Sequence, residues 1–270
     1  MLNALVEGNS LRATSRMVDV SINTVTKLLV DAGTACAAYQ DTTLRNLTCK
    51  RLQCDEIWSF CYAKADHVPK DKQGKFGYGD VWTWVAICAD TKLVPCWLVA
   101  DRSARAAHAF IEDLASRLTH KVQLTTDGHR AYLDAVENVF GSEIDYAQLV
   151  KLYGADPEGE RRYSPAKCIG AHAVRIQGKP DLVAVSTSYA ERQNLTMRMG
   201  MRRFTRLTNG FSKKVENLQH AVALHFMYYN FCRIHKSLRV TPAMEAGVAQ
   251  RPMELEGILD LMDQTIYRAN

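Results

Sequence analysis

Asp55 and Glu56 interrupt a run of Ile57, Trp58, Phe60 and Tyr62 in the stretch QCDEIWSFCYAK, residues 53–64. Apolar and aromatic residues at this density favour a strand that is at least half buried. An unpaired carboxylate is costly there, so it must be protonated, paired with a cation or bound to a metal. Asp127, followed by Gly128, closes the strand-like run in KVQLTTDGHRAY, and Glu191 lies in the helical stretch YAERQNLTMRMGMRR. Acids at strand ends in α/β sheets sit on the rim where ligands bind. If the strands of Asp55 and Asp127 are neighbours, their carboxylates repel unless a divalent cation lies between them. An all-oxygen site suits Mg²⁺ or Mn²⁺ rather than zinc. Two such ions about 4 Å apart clamp the attacking and leaving oxygens of a phosphodiester.

Each acid also has an ordinary reading. Asp127 before glycine fits a turn, and Glu191 fits a solvated helix face. Alternation along a strand sends Glu56 to the face opposite Asp55. Asp90 is accounted for by its hairpin, and Glu216 by pairing with Lys213 three residues before it.

The elements that must position these acids follow from periodicity. Residues 1–33 read as short helices. Ser21 is an N-cap, Ile22, Val25, Leu28 and Leu29 form a buried stripe, and Gly33 is the expected stop. The tight connection before Ser21 makes this a helix-turn-helix pattern. Its outward residues toward DNA are Asn23, Thr24, Thr26 and Lys27. Residues 34–48 read as a linker and 49–240 as a catalytic domain. Strands are expected in LQCDEIWSFCYA, GDVWTWVAICAD, KLVPCWLVAD, KVQLTTDGHRAY and EIDYAQLV, with helices in SARAAHAFIEDLASRL and AYLDAVENVF. That order predicts an α/β fold with a mixed five-stranded sheet flanked by helices. A loop-rich insertion is expected at about 151–182, a long amphipathic helix over 213–235, and a tail over 241–270 that is apolar enough for an oligomer contact.

Charge narrows the function class. The chain carries +5 overall, but residues 192–239 hold ten Lys and Arg against the single acid Glu216. That window is therefore +9 and the remainder net acidic, the distribution expected of a polyanion footprint. Arg198, Arg202, Arg203, Arg206, Lys213 and Lys214 are the candidates for phosphate contact; Arg161, Arg162 and Lys167 are weaker ones. No apolar run approaches the roughly 20 residues a membrane span needs. The eight Cys form no C-x-x-C pair, which predicts reduced thiols, no structural zinc and a cytoplasmic protein.

Four segments, CDEIWSF, TTDGHRAY, YAERQNLTMRMGMRRFTRLTNGFSKKVENL and YNFCRIHKSLRVTPAMEAG, together resemble the DDE transposases of bacterial insertion sequences, most closely the insertion-sequence-one family. SLRATSRMVDVSINTVTKLL resembles that family's DNA-binding segment. The resemblance implies an RNase H-like catalytic domain in which Asp55, Asp127 and Glu191 hold two Mg²⁺ (or Mn²⁺) ions. It also implies a basic residue two turns after the glutamate, here Arg198. Double-stranded DNA, both element ends and target, is the implied partner. A homodimer or larger homo-oligomer is implied, in the bacterial cytoplasm near the nucleoid. Two rival readings keep the fold: a domesticated DNA-binding protein with an inactive catalytic domain, and an RNase H-like nuclease that only hydrolyses.

Overall fold

The computed structural model describes residues 1–154, 168–205 and 208–269. The N-terminal helices are α1 (Leu2–Val6), α2 (Leu11–Met17) and α3 (Ile22–Thr43). Ser10 caps α2 by accepting from the Ala13 N–H, and Ser21 caps α3 by accepting from the Asn23 N–H. Asp19 supplies the left-handed residue of the turn between them, at φ 50°, a conformation that Asp tolerates better than most side chains.

α3 does not stop at Gly33. It runs ten residues further, through most of the expected linker at 34–48. The glycine is there for close packing: a Cβ at Gly33 would lie 2.4 Å from the Cβ of His220 on α7 (Val215–Met227). The second half of α3 is core, with Ala32, Ala35, Cys36 and Gln40 buried, and the Gln40 amide donates to the Ala223 carbonyl.

The sheet has six strands, one more than the sequence predicts. They are β1 (Arg51–Cys61), β2 (Gly79–Cys88), β3 (Trp97–Ala100), β4 (Val122–Asp127), β5 (Ile144–Tyr153) and β6 (Cys168–Gln177), in the spatial order β3-β2-β1-β4-β5-β6. β1 pairs antiparallel with β2 and parallel with β4, β4 pairs parallel with β5, and β6 returns antiparallel. β6 falls in the stretch expected to be an insertion. Its side chains are mostly exposed, so it lacks the apolar alternation that marks a strand in sequence. Arg161, Arg162 and Lys167 lie outside the described residues.

Helices cover both faces. α4 (Ala104–Ser116) and α5 (Ala131–Phe140) lie on one, where buried Trp84 meets Phe110 and Tyr132. α6 (Ser188–Gly200) lies across β1 on the other. The expected helix over 213–235 divides into α7 and a single π-turn at Tyr228–Cys232. The tail carries α8 (Pro242–Glu245) and α9 (Leu255–Ala269). Ile258 of α9 is fully buried and α9 packs on α3, so part of the tail's apolar surface is used within the chain. No described helix is long and apolar enough to cross a membrane.

Candidate active site

β1 and β4 are neighbours in parallel register, with Cys54 beside Thr126 at the last pair. Asp55 and Asp127 therefore leave the ladder side by side. One ligand oxygen each from Asp55, Glu56 and Asp127 lies within 4.8 Å of the others. Asp55 and Glu56 do point to opposite faces, as alternation requires, since Glu56 pairs across from buried Trp84 and Asp55 from Val85. β4 ends at Asp127, however, and β1 continues past it. At that open edge both faces reach the same space, and Glu56 joins the cluster.

Electrostatics make the cluster unstable as three free carboxylates. Burial first, then the charge of Asp127, pushes the Asp55 carboxyl up to about 6. Burial first, then Asp127, pushes Glu56 up to about 8, against the pull of Arg102. Arg102 is the nearby cation, 3.4 Å from Glu56 Oε2 and 3.9 Å from Asp127 Oδ2. Glu56 Oε1 is buried and makes no close hydrogen bond, with only the neighbouring Tyr132 hydroxyl to steady its charge. A buried carboxylate oxygen so weakly satisfied, beside two further carboxylates, is a donor set that fits a hard divalent cation.

The remaining oxygens are oriented by neighbours. Asp55 Oδ2 accepts from the Asn194 amide at 2.9 Å and Oδ1 from the Glu56 N–H. Asp127 Oδ1 accepts from the His129 N–H at 2.9 Å, so the turn role read from sequence is real and occupies only one of its two oxygens. Glu191 lies in the first turn of α6, and its charge also raises Asp55. Its carboxylate is bound to the Lys151 ammonium and the Thr187 hydroxyl, and it stands outside the 4.8 Å cluster. Of the three acids read from sequence, Asp55 and Asp127 therefore meet in this cluster with Glu56, while Glu191 is paired with Lys151 outside it.

α6 is anchored to β1 by Gln53, two residues before Asp55. The buried Gln53 side-chain carbonyl accepts from the Tyr189 and Ala190 N–H groups, which are orphan donors of the first helical turn. Removing it leaves two donors unsatisfied, at about 1–3 kcal/mol for a buried group. Gln53→Ala should therefore melt earlier by that amount and free the end of α6 that carries Glu191; denaturant melts of the two proteins check it.

The DNA-facing candidates are dispersed. Asn23, Thr24 and Lys27 are exposed on the first turns of α3, with Lys27 paired to Asp31. Thr26 lies beside a cleft of about 510 Å³ between the N-terminal helices and the chain joining α6 to α7. Arg12, Arg16, Arg202, Arg203 and Lys213 line that cleft, and no carboxylate does so among the described residues. Arg203 is half-buried, donates to Ser212 Oγ at 2.7 Å, and is pulled down to about 10 by desolvation. Lys214 is exposed and Arg198 half-buried at the end of α6; Arg206 lies outside the described residues. Arg12 and Arg16 were not expected from sequence, since they precede the basic window.

No protein-family model and no curated protein matches this sequence. Two solved transposase complexes are similar in chain path. One is the cryo-EM structure of piggyBac transposase in its synaptic complex with hairpin DNA, at 11% identity and TM-score 0.36, over 78% of this chain and 51% of that one. The other is the crystal structure of the Mos1 strand transfer complex, at 12% identity and TM-score 0.24, over 84% and 73%. The chain thus spans about half the length of the piggyBac chain. The chemistry has to come from the side chains.

Proposed function

We propose that this chain is a DNA transposase of the DDE type, which cuts the ends of an insertion sequence and joins the freed 3′-hydroxyls to target DNA. The observation that carries the reading is the convergence of Asp55, Asp127 and Glu56 at the open end of adjacent parallel strands, with the carboxyls of Asp55 and Glu56 pushed well above their usual range. The order β3-β2-β1-β4-β5, antiparallel then parallel, supports an RNase H-like domain beneath it.

Divalent cations, two per site as in the resembled family and Mg²⁺ or Mn²⁺ by the all-oxygen donor set, would supply Lewis-acid stabilisation of the phosphodiester under attack. Asp55, Asp127 and Glu56 would hold them, with Asn194 keeping the Asp55 carboxylate turned inward. Glu191 would complete the ligand set after exchanging Lys151. Arg102, beside Glu56 and Asp127, would pair with a phosphate oxygen through charge-assisted hydrogen bonds. Arg12, Arg16, Arg202, Arg203 and Lys213 form the basic cleft that would hold duplex backbone, and Asn23, Thr24, Thr26 and Lys27 would face the groove as the reading end of a helix-turn-helix. Two element ends held together require a homodimer or larger assembly.

The test is joining. Duplex carrying the sequences that flank the gene, incubated with the protein and Mg²⁺ or Mn²⁺, should be cut and its 3′ end joined to a second, labelled duplex. Cut products that are never joined would assign a hydrolytic nuclease. Retained, salt-sensitive DNA binding with no cutting in either metal would assign a DNA-binding protein with an inactive catalytic domain.

A further inference from the structure

The β1–β2 hairpin carries an aromatic strip that the reaction chemistry does not use. Along the face of β1 shared with Glu56, the side chains are Trp58, then Phe60, with Tyr62 just past the strand end. Trp82 on β2 stands directly across from Trp58. Under α4 and α5 this face is sealed, with Glu56 and Trp84 buried. Two residues further out the helices no longer cover it, and Trp58, Phe60, Tyr62, Trp82 and Tyr78 are all only partly buried. Phe60 stacks on Phe211 at 4.6 Å between ring centroids, and Trp58 on Phe60 at 5.8 Å. Five large rings that each keep an edge or face open to water on one strip offer a surface that a flat partner can cover.

The charges around the strip indicate what covers it. Lys213 sits 4.0 Å from the Phe211 ring centre and Lys72 4.3 Å from that of Tyr62. The Arg102 guanidinium lies 4.6 Å over Trp82 while also approaching Glu56 and Asp127. Rings interleaved with cations form a surface on which bases stack while the phosphates between them are neutralised. The strip begins at the acidic cluster, with Arg102 belonging to both.

We infer that this strip is a stacking platform for unpaired bases of a single DNA strand, with Trp58 taking the base nearest the scissile phosphate. The inference deepens the proposed function and rests on it for the identity of the strand, but binding can be read without cutting. A duplex keeps its base faces stacked on each other and cannot use the rings, so the platform implies that the strand entering the acidic cluster is locally melted.

The experiment measures affinity of the full chain, in EDTA, for fluorescein-labelled single-stranded oligothymidylate and for an abasic strand of equal length. Base stacking on an aromatic side chain accounts for roughly tenfold or more in affinity per base. Trp58→Ala should weaken oligothymidylate binding by about that factor and leave abasic binding unchanged, while Trp58→Phe keeps most of it. In the wild-type protein, oligothymidylate should quench tryptophan fluorescence and the abasic strand should not, a readout that survives if Trp58→Ala fails to fold. Equal losses on both strands, no change on either, or no selective quenching would overturn the platform. So would a Trp58→Ala protein that only shifts from dimer to monomer, because the strip would then be a contact between copies. Absence of strand transfer in the presence of selective quenching would count against the transposase reading and leave the platform standing.

Discussion

Asp55→Asn is expected to abolish metal-dependent DNA cutting, by at least about a thousandfold, while leaving DNA binding intact. Asp55 is the acid shared by every part of the site: it lies against Asp127 and Glu56, feels the charge of Glu191, and is held by Asn194. Metal-ion stabilisation of a phosphoryl transition state is of order several kcal/mol, and each 1.36 kcal/mol is tenfold in rate. Asparagine keeps the shape and removes the charge. Binding should survive because the Arg12, Arg16, Arg202, Arg203 and Lys213 cleft is built from other elements. The check is a cleavage time course beside a salt-dependent DNA titration. A variant that cuts at the wild-type rate would remove Asp55 from the chemistry, and with it the proposed reaction.

The second large effect is a reversal of pH dependence by metal. Glu56 in the fold is raised to about 8 from an ordinary 4.5. The folded protein therefore binds this proton more tightly than the unfolded chain. Stability from this group is full below about pH 4.5 and is lost as pH rises through the folded value near 8. Between pH 6.5 and 8 the unfolded carboxyl is already ionised, so this group's contribution to the stability of the metal-free protein, read as the difference from Glu56→Gln, should fall by about 2 kcal/mol over that interval. Glu56→Gln should flatten that slope. Excess Mg²⁺ or Mn²⁺ should invert it, because the ion competes with the proton for the same oxygens and binds better as pH rises. Melting temperatures at pH 6.5 and 8, with EDTA and with each metal, measure both parts. A slope that persists unchanged in Glu56→Gln would assign it to another group.

Much of this molecule was legible along the chain, and the legible parts share a cause. β1, β2, β4, β5, α4 and α5 follow from local periodicity, because each buries one face or both against neighbours and carries that pattern in its own residues. Asp55 stood out because a carboxylate inside an aromatic strand has few affordable environments. The end of α3 is not legible in the sequence because glycine has two uses, terminating a helix and letting another helix approach; only the presence of His220 on α7 selects the second. β6 was invisible because an exposed edge strand is held by backbone pairing to β5, which leaves no mark in side-chain pattern.

The sequence alone determined the chemistry on offer: acids at the ends of apolar strands, a basic segment after them, and the elements that carry both. Tertiary structure decided which acids meet. Alternation correctly put Glu56 on the far face from Asp55, yet β4 stops at Asp127 while β1 runs on, so both faces open onto one space. Arg102, Gln53 and Lys151 enter the site for the same reason. Each is distant in the chain or unremarkable in type, and each acts through a distance set by strand register and helix docking. A single chain direction does not encode such a distance, because contact depends on where neighbouring strands end.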